Sequence, residues 1–245
     1  MRATPSRPKL PAMPEPDFQR ARTPERKAER RAAILVAAGD LLDAGEPSAA
    51  TLSAIAAKAG VVKSGLYRYF ESREDILIQL MLAGIEGVVT AAEADAAALA
   101  ASGAAPGDPG RVARAAALVA ACFAGRPRVC LLIAEMAPTL ERNISVPGIV
   151  ALKLRMLPLI ARAGGAIALA HGALPPTAAA LAANALPPLV AGLWPMANPG
   201  PAVAEALRDP RLAGFDQPFE TSLRAAFHAV LLGAEAAAQP WAKSQ

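Results

Sequence analysis

The chain has 245 residues, 54% of them hydrophobic but only 4% aromatic, with two cysteines and a formal net charge of +4. That is ample for a core built mostly from Ala, Leu, Val and Ile, and alanine at this level favours helix. It excludes a disulfide framework or a metal site, because Cys122 and Cys130 stand in apolar surroundings with no CxxC or Cys/His grouping.

Two thiols of this kind suit a reducing cytoplasm, the expected location. The charge is unevenly placed. Residues 1–73 hold 13 Lys+Arg against 8 Asp+Glu, whereas residues 74–245 hold 12 against 13. A basic head on a near-neutral body points to a polyanion at one end only.

Residues 1–22 are rich in proline and arginine and lack the apolar stretch of a signal peptide; they are expected to form a disordered basic arm. Thr23-Pro24-Glu25 starts a helix, with Thr as N-cap, Pro at the first position and Glu in the first turn. It runs to about Ala44 on the stripe Ile34, Leu35, Ala38, Leu41 and Leu42. Gly45 ends it and Pro47 prevents continuation. Thr51 caps a second helix over 52–59, with Ile55, Ala56 and Ala59 inward, and Gly60 makes a turn. A third helix is expected over 62–69, with Leu66 and Phe70 inward. Ser72 caps a long fourth helix, Asp75 approximating a capping box, which carries Ile76, Leu77, Leu80 and Met81 and reaches Ala101.

Ser102–Pro109 reads as a loop. Helices are expected at 109–124, 127–141 and 147–171, the last kinked or split at Pro158. A further helix begins after Pro175-Pro176 and is interrupted by Pro187-Pro188, with a bend near Leu186. Residues 197–216 read as a long loop with one helical turn around 202–208. The last helix covers 217–238, with Leu223, Ala226, Phe227, Val230 and Leu231 on one face. With no strand-like alternation, the fold class is all-α with about nine helices.

No Asp, Glu, Lys or Arg occurs between Arg162 and Glu205. Prolines interrupt this stretch so often that no run of about 20 apolar residues is free of them. It reads as buried or subunit-facing rather than as a membrane span, and no membrane partner is expected.

Residues 51–70 fit a helix-turn-helix. Small Ala56 and Ala59 let two helices approach, Gly60 supplies the turn, and the second helix presents Lys63, Ser64, Gly65, Tyr67 and Arg68 outward. Lys63 is suited to guanine O6/N7. Tyr67, Arg68 and Tyr69 are suited to phosphate oxygens, which fix register rather than sequence.

The series Thr51-x3-Ile55-Ala56-x2-Ala59-Gly60-Val61, then Leu66-Tyr67-x-Tyr69-Phe70-x-Ser72-Arg73-Glu74-Asp75, resembles the DNA-binding domain of the TetR family of bacterial repressors. Arg31-x2-Ile34-Leu35-x2-Ala38-x2-Leu41-x3-Gly45 is similar to that family's first helix. The likeness covers residues 24–82; beyond it, only length and helical content agree. It implies a DNA-binding domain at 23–72, whose contact set adds Arg31, Thr51, Ser53, Val62 and Arg73. It also implies a ligand-binding and dimerisation domain at 73–245. The partners implied are double-stranded operator DNA, a small-molecule effector and a second copy of the chain, paired through helices near 176–197 and 217–238. Effector-pocket candidates are Phe123, Glu135, Met136, Leu140, Asn143, Met156, Ile160, His171 and Trp194. The methionines suit an adaptable, apolar site.

This sequence departs from the family pattern in three places. Val62 stands where a capping serine is usual, Gly65 where Thr or Ala is common, and Ala54 where an acidic residue would complete a capping box. A lost N-cap costs about 1 kcal/mol and glycine costs about 1 kcal/mol against alanine in a helix, so the recognition helix is expected to be marginal alone. No Gly-rich phosphate loop, nucleophile elbow or metal cluster is present, so neither an enzyme nor a cofactor is expected. A membrane-associated or structural helical protein is left as an alternative only if residues 51–70 are ignored. An activator, or a regulator without a small ligand, is a second alternative.

Overall fold

The computed structural model describes residues 24–44, 47–102, 108–215 and 217–238. The expected Thr23 cap, the Gly45 stop and the arm at 1–22 lie outside the described residues. Among these residues the chain is all helical, with no strand.

Three helices make the N-terminal head: α1 (Pro24–Ala44), α2 (Leu52–Lys58) and α3 (Lys63–Leu66). Their apolar faces meet in a small core of Ile34, Ala38, Ile55, Ala56, Leu66 and Phe70, closed by Ile76 from α4 (Arg73–Ala101). Thr51 caps α2 as expected, its Oγ1 accepting the Ala54 N–H at 3.1 Å. Gly60 sits at φ 65°, the left-handed backbone that glycine adopts without a Cβ clash, and so turns the chain between α2 and α3.

The recognition helix is shorter than the expected 62–69. After Leu66 the chain tightens into bonds from Arg68 N–H to Gly65 O (3.3 Å) and from Tyr69 N–H to Leu66 O (2.9 Å). This tightening accompanies the burial of Phe70 in the head core. Ser72 caps α4, accepting from Asp75 N–H at 3.1 Å, but the Asp75 carboxylate returns to Glu71 N–H (3.2 Å) rather than to the cap residue itself.

The body consists of α4, α5 (Arg111–Ala124), α6 (Pro127–Glu135), α7 (Val146–His171), α8 (Pro176–Ala197), the short α9 (Pro201–Ala206) and α10 (Phe219–Ala238). α4 packs along α7, α8 lies between α6, α7 and α10, and α10 also covers α5. α5 starts two residues later than expected, because Asp108 Oδ1 accepts Gly110 N–H at 2.8 Å and forms a turn first.

The helix expected over 127–141 stops at Glu135. Pro138 has no N–H, and the chain widens into a π turn at Met136–Leu140, whose Glu141 N–H reaches back five residues to Met136 O. A 3₁₀ turn at Glu141–Asn143 comes next.

Neither α7 nor α8 is split at its prolines. α7 runs unbroken through Pro158, and α8 runs unbroken through Pro187 and Pro188. Each proline removes a hydrogen bond, but buried neighbours on both sides hold the turns together: Met156 and Leu159 on α7, Ala183, Leu186 and Val190 on α8. By length and composition alone, α4 and α8 could each cross a membrane. In the fold one face of each is packed against the body.

Candidate nucleic-acid interface and effector cavity

The head presents a coherent outer face. Thr51, Ser53, Val62, Lys63, Ser64, Tyr67 and Arg68 are exposed, while Gly65 and Tyr69 are half-buried. Val62 is 72% exposed and has the extended backbone of an N-cap residue (φ −73°, ψ 145°), yet it offers no side-chain acceptor. The α3 amides are therefore left without a side-chain cap, as the sequence implies. The Arg31 guanidinium lies 4.7 Å from the Phe70 ring centroid, an arrangement that braces it above the head core. Arg73 is only partly exposed. Its Nε donates to Ala50 O at 2.8 Å and its Nη1 lies 3.5 Å from Glu74, so it ties the start of α4 to the turn before α2.

A second tie joins head and body. Arg128 of α6 donates through Nε to Asp43 of α1 at 2.8 Å and through Nη2 to the other carboxylate oxygen. That hydrogen bond holds the Asp43 carboxyl below its ordinary range despite the cost of burial. Gly39 makes room for it: a Cβ there would stand 2.5 Å from Arg128 Nη1. These partners are far apart in sequence, and nothing in the local pattern announces them.

In the body, α4, α5, α6, α7 and α8 line a space of about 60 Å³. α4 contributes Ile85, Val88, Val89 and Ala92, at the i, i+3, i+4, i+7 spacing of one helix face. α7 contributes Met156, Leu159, Ile160, Ala163 and Ile167. The Cys122 thiol is the most polar group in this wall. Burial first, and the nearby Asp95 second, push it up to about 11, and burial pushes Cys130 up to about 12. Both stay protonated and behave as apolar filling rather than as nucleophiles.

Of the nine effector candidates, Phe123, Met156 and Ile160 line this cavity. Glu135 and Leu140 line a different cleft with Arg73 and Thr139, where Thr139 Oγ1 donates to Glu135 at 2.7 Å. Met136 is half-buried against the core. Asn143 borders the outer groove between α4 and α7, its Nδ2 donating to Thr139 O at 2.8 Å. Trp194 packs edge-on against Phe219 with ring centroids 5.0 Å apart.

His171, expected as an effector contact, does not line the cavity; it is 2% exposed. Its Nδ1 accepts from Ala173 N–H at 3.4 Å. Its Nε2 lies 3.0 Å from Glu235 Oε1, close enough for ion pairing but without hydrogen-bond alignment. Arg111 donates twice to the same carboxylate oxygen, at 3.0 and 2.7 Å. Burial holds the imidazole below its ordinary range against the pull of Glu235.

Residues 34–80 match the family model for bacterial regulatory proteins of the tetR family, and residues 85–238 match that of the tetracyclin repressor-like C-terminal domain. Among solved structures, a TetR-family transcriptional regulator from Mesorhizobium loti is 16% identical, covering 86% of this chain and 98% of its own, with a TM-score of 0.51. It shares the fold. The transcriptional regulator FadR from Bacillus subtilis, solved in complex with stearoyl-CoA, is also 16% identical over 83% of this chain and 97% of its own. Its TM-score of 0.46 is too low to carry weight. No curated protein matches the sequence.

Proposed function

We propose a mechanism for a chain that belongs to the TetR family of bacterial regulatory proteins and is a DNA-binding transcriptional regulator, not an enzyme: it is a repressor released from a palindromic operator when a small apolar molecule enters the body. One observation carries this reading. α4 belongs to both halves, since its first turn is bound to the head through Ser72, Arg73 and Ile76 and its middle walls the cavity with Ile85, Val88, Val89 and Ala92. Any occupant that moves α4 moves the reading head.

The DNA-facing set is Lys63, Ser64, Gly65, Tyr67 and Arg68, with Thr51, Ser53, Val62 and Tyr69 at its margins. Arg31 and Arg73 act mainly by bracing, given their contacts to Phe70 and Ala50. The head spans residues 23–72 and the body 73–245. Dimerisation uses α8 and α10, whose outward faces expose Leu181, Met196 and Leu232. A two-fold dimer sets the two α3 helices about 34–36 Å apart, one turn of duplex DNA. A protein that works on operator DNA in a bacterium works in the cytoplasm.

A ligand shifts operator affinity only by its differential affinity for the DNA-competent and released states. The test is direct. A footprint on a palindrome is expected, weakening steeply with salt as phosphate contacts are screened. Operator affinity that stays constant with every compound shown to occupy the body would sink the release mechanism.

A further inference from the structure

The inner cavity and the outside of the body share one side chain. Leu159 lines the cavity and also an outer groove of about 440 Å³ between α4 and α7. This groove shares Leu82 and Arg155 with a neighbouring one of about 360 Å³, so the two follow the α4–α7 seam toward the head. On α7, Arg155 stands one turn before Leu159 and Arg162 three residues after it, on the same helix face.

The two arginines are differently engaged. Arg162 is neutralised by Glu93, at 2.9 and 2.7 Å, and by Glu86, with a further bond to Thr90. The Asp75 carboxylate accepts from Glu71 N–H and from the Gln79 amide. Glu71 also borders the groove. Arg155 donates to the neutral amide oxygen of Gln79 and, among the described residues, forms no ion pair. It is a cation at the door of an apolar cavity with most of its donors open.

The cavity has the opposite character. Apart from the Cys122 thiol, its wall is wholly apolar. Its 60 Å³ is far below the roughly 300 Å³ of an ordinary ligand pocket, so an occupant must displace the wall. Prolines stand at this level: Pro158 precedes Leu159 on α7, and Pro187 lines the cavity on α8. Each proline deletes one rung of its helical hydrogen-bond ladder.

We propose that the effector is a single-chain amphiphile with an anionic head: its chain threads between α4 and α7 past Leu159 into the cavity, and its head remains on Arg155 at the surface. This rests on the cavity being the effector site and adds the chemical class and the door.

The experiment measures binding to the purified full-length protein without DNA, by calorimetric titration with dodecanoate, dodecanol and dodecyltrimethylammonium below their micelle concentrations. Dodecanoate is expected to bind about tenfold more tightly than dodecanol, the scale of one charge-assisted contact, and the cation more weakly than both. Arg155→Gln is expected to weaken dodecanoate to the level of dodecanol while leaving dodecanol unchanged. Leu159→Ala is expected to speed uptake of both several-fold without altering the preference for the anion. Equal binding of dodecanoate and dodecanol, tighter binding of the cation, or an Arg155→Gln variant that weakens dodecanol equally would each overturn the proposal. Operator release is read separately. If a compact neutral compound releases the operator while no dodecyl compound binds, this proposal falls and the release mechanism stands. If dodecanoate binds through Arg155 and operator affinity does not move, the amphiphile site stands as a binding site, and its role as the effector site falls.

Discussion

The head and the body solve opposite problems with the same kind of element. On the 21-residue α1 the head carries a seven-residue α2 and a four-residue α3, too short to persist alone, so tertiary packing on Ile34, Ile55, Leu66 and Phe70 must hold them. The body is built from helices of 20 to 29 residues at α4, α7, α8 and α10, yet it leaves an unfilled apolar space at its centre and places prolines beside it. A reading head has to keep side chains in register with DNA, which favours short pieces pinned at every turn. An effector site has to yield, which favours long walls with local weak points.

The sharpest way to break that contrast is to remove one large side chain from each half. Leu66→Ala leaves a hole in a head core of few residues and is expected to cost about 2–5 kcal/mol. Operator binding should be lost while amphiphile binding to the body survives. Met156→Ala enlarges a space that already exists, between walls that can close on it, and is expected at the lower end of the same range. Chemical denaturation monitored with and without a cavity ligand measures both. Equal costs, with both functions lost in both variants, would show that the halves do not differ in compliance.

A finer division lies within the head. Lys63, if it reads guanine, should cost about 1–3 kcal/mol of operator affinity on truncation to alanine and relax preference at one base pair. Arg68→Ala should instead weaken all sequences alike and lower the salt slope by about one. Selection from random DNA with each variant distinguishes them, and a uniform loss for both would demote Lys63 to a phosphate contact.

The body also carries a pH dependence near neutrality, centred on one buried histidine. His171 is buried beside Glu235 and Arg111, and burial lowers its pKa below the 6.5 of an unfolded chain. The unfolded state therefore takes up the proton first. The contribution to stability is present above pH 6.5 and is lost as pH falls toward the folded-state value. Denaturant midpoints for the body should fall across that window, and His171→Gln should flatten the fall. A wild-type midpoint that rises on mild acidification would mean that Glu235 dominates over burial.

How legible each half is in the sequence depends on the range of the forces that build it. The head is specified locally: Thr51 and Ser72 as caps, Gly60 as the turn, and apolar residues at helical spacing all act within a few positions of themselves. The body is not. Pro158 and Pro187 carry a local instruction to break, which packing of Met156, Leu159 and Leu186 overrides. The π turn around Pro138 adds one residue to its turn, rotating the later residues by about 100° relative to a regular helix. Glu135, just before that turn, and Leu140, at its end, line a cleft away from the cavity that Phe123, Met156 and Ile160 share. His171 owes its burial to Glu235 and Arg111, and Arg128 owes its place to Asp43; such partners lie too far along the chain for spacing to reveal.

The smallest effect bears on the feature that is most particular to this head. Gly65 sits inside the four-residue α3 without a positive φ, so its backbone does not require glycine. Packing does not require it either. A Cβ at position 65 would meet Val62 Cγ2 at 3.5 Å, ordinary van der Waals contact. Gly65→Ala should therefore stabilise the free head by about 1 kcal/mol through helix propensity alone. DNA is then the remaining partner that could demand the absence of a side chain, through close approach of the α3 backbone to a thymine methyl or a phosphate. If the alanine variant is more stable yet binds its operator more weakly, the glycine serves that approach, and marginal stability is the consequence of reading DNA at short range. If stability rises and operator affinity is unchanged, close approach is ruled out, and the weakness of α3 has no role in recognition.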